Sequence, residues 1–371
     1  MKKTLLLTIL LLLLAAPPLP AQPVKVIYRA GGLNDDIAWS PDGTKLAVEY
    51  CVLDKNGKPL WIMEEPAGTI TAVAWSPDGS KLAAGSWDSK VYVYDQQGKL
   101  LWSYETGGSV KAVTWSPDGS KLAVGSRDNK VYVLDEQGNL LWSYQTGWSV
   151  MTMAWSPDGS KLAASSLDNI VYVFDKWGNL LWSYKTGWYV SAVTWSPDGS
   201  KLAAGSWDNK VYVLDERGNL LWSYETDSYV MAVDWSPDGS KLAAGSYDFR
   251  VYVFDEQGNL LWSYETGDWV VAIDWSQDGS KLAVGSADNK VYVFDQQGNL
   301  LWSYETDSYV MAVDWSPDGS KLAAGSDKVY VFNRQGDLLW SRKTGLFILA
   351  MDWSPDGSKL AAGSDKVYVF N

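Results

Sequence analysis

The chain has 371 residues, 46% of them apolar, with 23 Trp, 21 Tyr, no histidine and a net charge of −13 from 31 basic and 44 acidic side chains. This composition excludes a disordered chain, and the negative surface repels phosphate backbones, which argues against nucleic acid as a partner. With no histidine and Cys51 as the single cysteine, Ser-His, Cys-His and His-rich zinc sites are excluded, and so is an intramolecular disulfide.

Residues 1–21 open with Lys2 and Lys3, continue as an apolar run from Leu5 to Ala16 and end on the small Ala21. That is the pattern of a secretory signal segment, shorter than the roughly 20 apolar residues of a membrane span. The expected location is secreted, cell surface or periplasmic, with no membrane span once the segment is removed; an uncleaved anchor is the alternative. No cysteine follows the apolar run, so a lipidated N-terminus is not indicated. Residues 22–371 are expected to form one domain.

The sequence WSPDG then begins at Trp39, Trp75, Trp115, Trp155, Trp195, Trp235, Trp315 and Trp353, with WSQDG at Trp275, which makes nine copies. In the third copy the runs VKAVTWS, KLAVGS, KVYVLD and LLWSY are separated by the turns PDGS, RDN and EQGN. Val, Tyr, Trp and Leu fill the runs, whereas Asp, Asn, Gly and Pro fill the turns, so each copy predicts four short β-strands. No segment after residue 25 has a helical period. The first copy lacks four residues of the second turn and the last two lack two each, while Gly218 to Ser246 recurs letter for letter at Gly298 to Ser326.

A period near 40 with four strands per unit resembles the blades of WD-repeat propellers. WSPDGSKLAAGSWDNKVYVLD, from Trp195 to Asp215, stands where that family has its first three strands. The family's Trp-Asp pair appears as Tyr94-Asp95, Leu134-Asp135 or Phe174-Asp175, and its Gly-His pair is missing, so its side-chain network is expected to be incomplete. The outer strand, GNLLWSYETG, resembles those of quinone-dependent dehydrogenases and bacterial outer-membrane assembly scaffolds. The expectation is an all-β, single closed β-propeller of about nine four-stranded blades. Only eight LLW-like segments follow a blade, so the ninth fourth strand is assigned to Val24–Gly32, which would pair with the strand ending at Asn371. Eight blades with one degraded copy is the alternative.

The SPDGSK segments read as hairpin turns, because they lack the alternating carboxylates of a calcium loop. Asp88, Asp128, Asp168, Asp208, Asp248 and Asp288 are expected to bond to nearby backbone amides. Trp75, Trp115, Trp102, Trp142 and their equivalents are assigned to the core between blades. Asp234, Asp274, Asp314 and Asp352 precede the motif Trp and would form an acidic arc near the central channel, the only feature that could support a hydrolase or metal-dependent enzyme. No cofactor and no resident metal are called for.

One set of turns varies between copies. The residue between GS and Asp is Trp87, Arg127, Leu167, Trp207, Tyr247 or Ala287, and the turn leading into the next blade carries Trp148, Trp188, Tyr189, Tyr229, Trp269, Tyr309 or Phe347. Both turns fall on one face of a propeller, and their divergence toward aromatic letters suggests a contact surface. The alternative is that these aromatics merely cap the blade tops. Trp87, Arg127, Trp148, Trp188, Tyr189, Trp207, Tyr229, Tyr247, Trp269, Tyr309 and Phe347 are therefore the candidate binding residues. The expected function is an exported non-enzymatic scaffold for a protein or glycan of the cell envelope. A self-associating structural ring is the further alternative.

Overall fold

The computed structural model describes residues 28–29, 37–344, 346–364 and 366–371. In the third copy the strands are Val110–Trp115, Lys121–Ser126, Lys130–Asp135 and Leu140–Gln145, paired in that order as an antiparallel sheet. The second and third strands are buried along nearly their whole length, because both sheet faces are covered by neighbouring blades. The fourth strand is exposed at alternate positions, as expected for an outer edge.

The turn chemistry follows the letters. Gly119 adopts a left-handed φ of 71° in the first turn, where the Asp118 carboxylate accepts hydrogen bonds from Ser116 Oγ (2.5 Å) and the Ser120 amide (3.0 Å). In the third turn Gly138 has φ 85°, and a Cβ there would lie 2.6 Å from the indole of Trp102 in the preceding blade. That turn therefore needs glycine for its conformation and for its clearance.

Nine four-stranded sheets repeat this plan. Their first strands neighbour one another in a closed cycle, in which Ala38–Trp39 touches both Ile70–Trp75 and Ala350–Trp353. At seven of the nine motif tryptophans, Nε1 donates to the carbonyl preceding the previous blade's Trp. Trp39 Nε1 to Asp352 O, at 3.0 Å, closes the ladder. The ninth sheet takes its fourth strand from the N-terminal side: Tyr28 pairs with Val367 and Arg29 with Lys366. The ring thus has nine blades, and the eight-bladed alternative is set aside. The signal segment 1–21 and the rest of 24–32 lie outside the described residues.

The core lies between blades. Ala123, Val131 and Val133 of the third blade pack against Val150, Trp155, Leu162, Ala164, Tyr172 and Phe174 of the fourth. Trp115 and its equivalents are buried, as expected. Trp102 and its equivalents are not: they are half-buried, because the outer strand has a neighbour on its inner side only. Trp102 covers Gly138 of the next blade, and its Nε1 donates to Glu136 O at 2.9 Å. Cys51 is a buried free thiol, pushed up to about 12 by burial.

Candidate binding face

The Asp that recurs in the second turn organises the variable face. In the fifth blade, Asp208 Oδ1 accepts from the Lys210 amide (3.1 Å), while Oδ2 accepts from Tyr212 Oη (2.7 Å) and from the Gly187 amide of the entering turn (2.5 Å). Burial, then the adjacent carboxylate, raise the Tyr212 phenol well above its usual value, so it stays a donor. Equivalent clamps join Asp88 to Tyr92, Asp128 to Tyr132, Asp168 to Tyr172, Asp248 to Tyr252 and Asp288 to Tyr292. In these six blades the side-chain network of the face is built from an aspartate and a tyrosine, in a chain without histidine.

The clamp brings the two variable turns together. The Trp207 amide donates to Tyr189 O (2.8 Å), Tyr247 to Tyr229 O (2.9 Å) and Ala287 to Trp269 O (2.8 Å). Between blades the contact is made by rings. Trp207 stacks on Tyr229 at 5.1 Å and 11°, and Tyr247 stacks on Trp269 at 4.6 Å and 14°. With Trp188 edge-on to Tyr189 (5.9 Å), Tyr189 against Trp207 (5.9 Å) and Tyr229 against Tyr247 (6.3 Å), six rings form one unbroken run. Trp188, Tyr229 and Trp269 are exposed, and Tyr189, Trp207 and Tyr247 are half-buried beneath their neighbours.

The other candidate residues stand apart from this run. Tyr309 and Phe347 form a separate stacked pair at 6.1 Å. Trp87 lies under Lys111, whose Nζ is 5.7 Å from the ring centroid. Burial, then the charge of nearby Arg127, lower the Lys111 pKa. Trp148 is 56% exposed, and no described ring stacks on it. Sequence reasoning passed over Phe249, exposed at a left-handed φ of 72° where four other blades have Asn and one has Ser. The break in that Asn pattern was the available signal. It also passed over a belt of exposed leucines on the outer strands, such as Leu140, Leu141, Leu180 and Leu181.

The acidic arc is present, but each carboxylate is used by the fold. Asp274 Oδ2 accepts from the Trp315 amide (2.7 Å), Asp314 from Trp353 (3.2 Å), Asp352 from Trp39 (2.9 Å) and Asp234 from Trp275 (3.4 Å). Burial raises Asp234 to about 6, and burial reinforced by Asp234 raises Asp274 to about 8. Asp314 is raised by burial and by Asp274 and Asp352 on either side. Among the described residues no three His, Cys, Asp or Glu side chains converge in a group that could hold a metal ion.

Comparison with known proteins agrees with this architecture. The Sqt1 protein of Chaetomium thermophilum matches with a TM-score of 0.71 at 21% identity, over 83% of this chain and 97% of that one. The same protein bound to the N-terminus of ribosomal protein L10 gives 0.70 at 21% identity, over 83% and 98%. Sqt1 of Saccharomyces cerevisiae gives 0.70 at 17% identity, over 82% and 96%. At these identities the likeness shows the fold. No curated protein matches the chain. Residues 57–95 and 340–367 match the family described as WD domain, G-beta repeat, and residues 88–234 and 208–348 match the one described as outer membrane protein assembly factor BamB. Since the latter matches run from residue 88 to residue 348, well over half of the 371 residues, the chain belongs to the BamB family of repeats.

Proposed function

We propose that this propeller is an exported, non-enzymatic platform that binds a protein partner through its aromatic face. The unbroken run of six rings from Trp188 to Trp269 carries this reading. Rings presented by short, clamped turns offer a large contact area at little cost in conformational entropy, the composition favoured at protein contact sites. Two relatives support a protein partner over a glycan: the matching family is described as an assembly factor, and a structural neighbour is held with the N-terminus of a ribosomal protein. The acidic arc supports catalysis poorly, because its carboxylates are committed to backbone amides of the next blade.

The test is retention of envelope proteins and of a glycan panel by the immobilised chain, in wild type and with Trp188, Trp207 and Trp269 changed to Ala. A defined protein should be retained by wild type and lost by the variant. Equal retention by both would refute the aromatic face, and glycan retention alone would refute the protein partner.

A further inference from the structure

We infer that the segment recognised by this face is basic, with lysine or arginine side chains seated against Trp207 and Trp269; the inference rests on the aromatic-face reading above. The molecule contains its own example of the contact. Trp87 occupies in the second blade the turn position that Trp207 occupies in the fifth, and Lys111, from the first strand of the following blade, places its Nζ 5.7 Å from the Trp87 centroid. A cation is attracted to the negative face of an indole, more strongly than to the other aromatic rings. In the blade that follows Trp207, the position of Lys111 is held by the uncharged Met231. Among the described residues no lysine or arginine covers Trp207 or Trp269. Trp207 has the turn position of Trp87 without its intramolecular cation, and Trp269, from the turn leading into a blade, is likewise uncovered.

Charge on the same turns points the same way. Asp227 and Asp307 are matching letters of the copied segment, yet their surroundings differ. Asp307 pairs with Lys328, whereas Arg250, the counterpart of Lys328, pairs instead with Glu265 at 2.6 Å. Asp227, two residues before Tyr229, thus has no ion pair with a described residue. Asp268 directly precedes Trp269, and among the described residues its carboxylate accepts only the Trp269 amide, at 2.8 Å. Lys210, the nearby cation of the fifth blade, lies 3.5 Å from Glu225. An apolar or acidic segment laid over these turns would desolvate two carboxylates without a counterion, whereas a basic one would neutralise them while its cations meet the π faces.

The experiment is fluorescence anisotropy with a labelled lysine octapeptide and its fully Nε-acetylated form. The proteins are wild type, the Trp207→Ala/Trp269→Ala double variant, Trp207→Tyr and, on the opposite face, Trp177→Ala, with folding of each checked by circular dichroism. The lysine peptide should bind at least about tenfold more tightly than the acetylated one, the double variant should lose about tenfold, and Trp207→Tyr should keep most of the affinity. Trp177, 71% exposed and already beneath Lys176 Nζ at 4.8 Å, should be replaceable without effect. Undiminished binding of the lysine peptide by the double variant would assign it to the overall negative charge and overturn the proposal, as would absence of binding to wild type. Equal, Trp207-dependent binding of the acetylated peptide would overturn the basic partner while leaving the aromatic face standing.

Discussion

The indole of Trp207 lies flat on the ring of Tyr229, 5.1 Å between centroids and 11° between planes, although the first belongs to the fifth blade and the second leads into the sixth. This contact joins two blades at the surface, where their buried strands no longer touch. A double-mutant cycle with Trp207→Ala and Tyr229→Ala should return a coupling of about 0.5–1.5 kcal/mol in denaturant unfolding, and a null coupling would mean the rings are only neighbours.

The clamp gives a second expectation. Removing the Asp208 carboxylate leaves the Tyr212 hydroxyl and the Gly187 amide without their acceptor. Asp208→Ala should therefore cost about 1–3 kcal/mol, and Tyr212→Phe less, because the carboxylate keeps its two amide donors. Equal costs would place the main contribution in the tyrosine bond.

Phe249 sits at φ 72°, a region that costs an ordinary side chain about 1–2 kcal/mol and that asparagine tolerates better. Phe249→Asn, restoring the residue of Asn209 and Asn289, should raise the unfolding midpoint. A fall would show that the exposed ring makes a stabilising contact.

Gly258 combines φ 84° with a Trp222 ring that a Cβ would approach to 2.4 Å. Gly258→Ala should destabilise by more than about 1 kcal/mol and shift the fluorescence of Trp222, since the indole must move to admit the methyl group. Unchanged stability and emission would refute the close contact.

Two groups of carboxylates divide the pH dependence. Asp234 and Asp274 rise from 3.8 to about 6 and about 8 on folding. Between pH 4 and 8 the folded ring holds protons that the unfolded chain releases, so stability should fall as pH rises through that window. Asp78, Asp118 and Asp158 fall from 3.8 to about 2, led by the hydrogen bond from the serine two residues earlier, and their contribution is lost as pH drops below 4. Denaturation midpoints from pH 2.5 to 8.5 should peak near pH 4–5. Asp274→Asn should flatten the alkaline limb and leave the acid limb unchanged.

Strand order, blade number and the completing N-terminal strand were legible because the turn letters are specific and recur. Gly119 and Gly138 punctuate the chain in the sequence as they do in space. The variable turns were legible as a set, but not the order of their rings. The rings that meet come from the second turn of one blade and the turn leading into the next, and Ala287, at the position of Trp207 and Tyr247, ends the run at Trp269 and leaves Tyr309 and Phe347 apart. The exposure of the outer leucines was not legible, for a simple reason. Leu140 and Leu141 have the letters of a core strand, and only the absence of a sheet beyond the fourth strand leaves them in solvent.

The pairing of Tyr28 with Val367 also bears on how such a chain is made and how it changes. More than 300 residues separate the two, so the ring cannot shut until every blade between them has been made, a long-range event of the slow kind. The same latch is indifferent to what lies between. Both of its halves belong to one blade, so units between them can change without altering that pairing, and the copy of Gly218 to Ser246 at Gly298 to Ser326 records a duplication within that stretch.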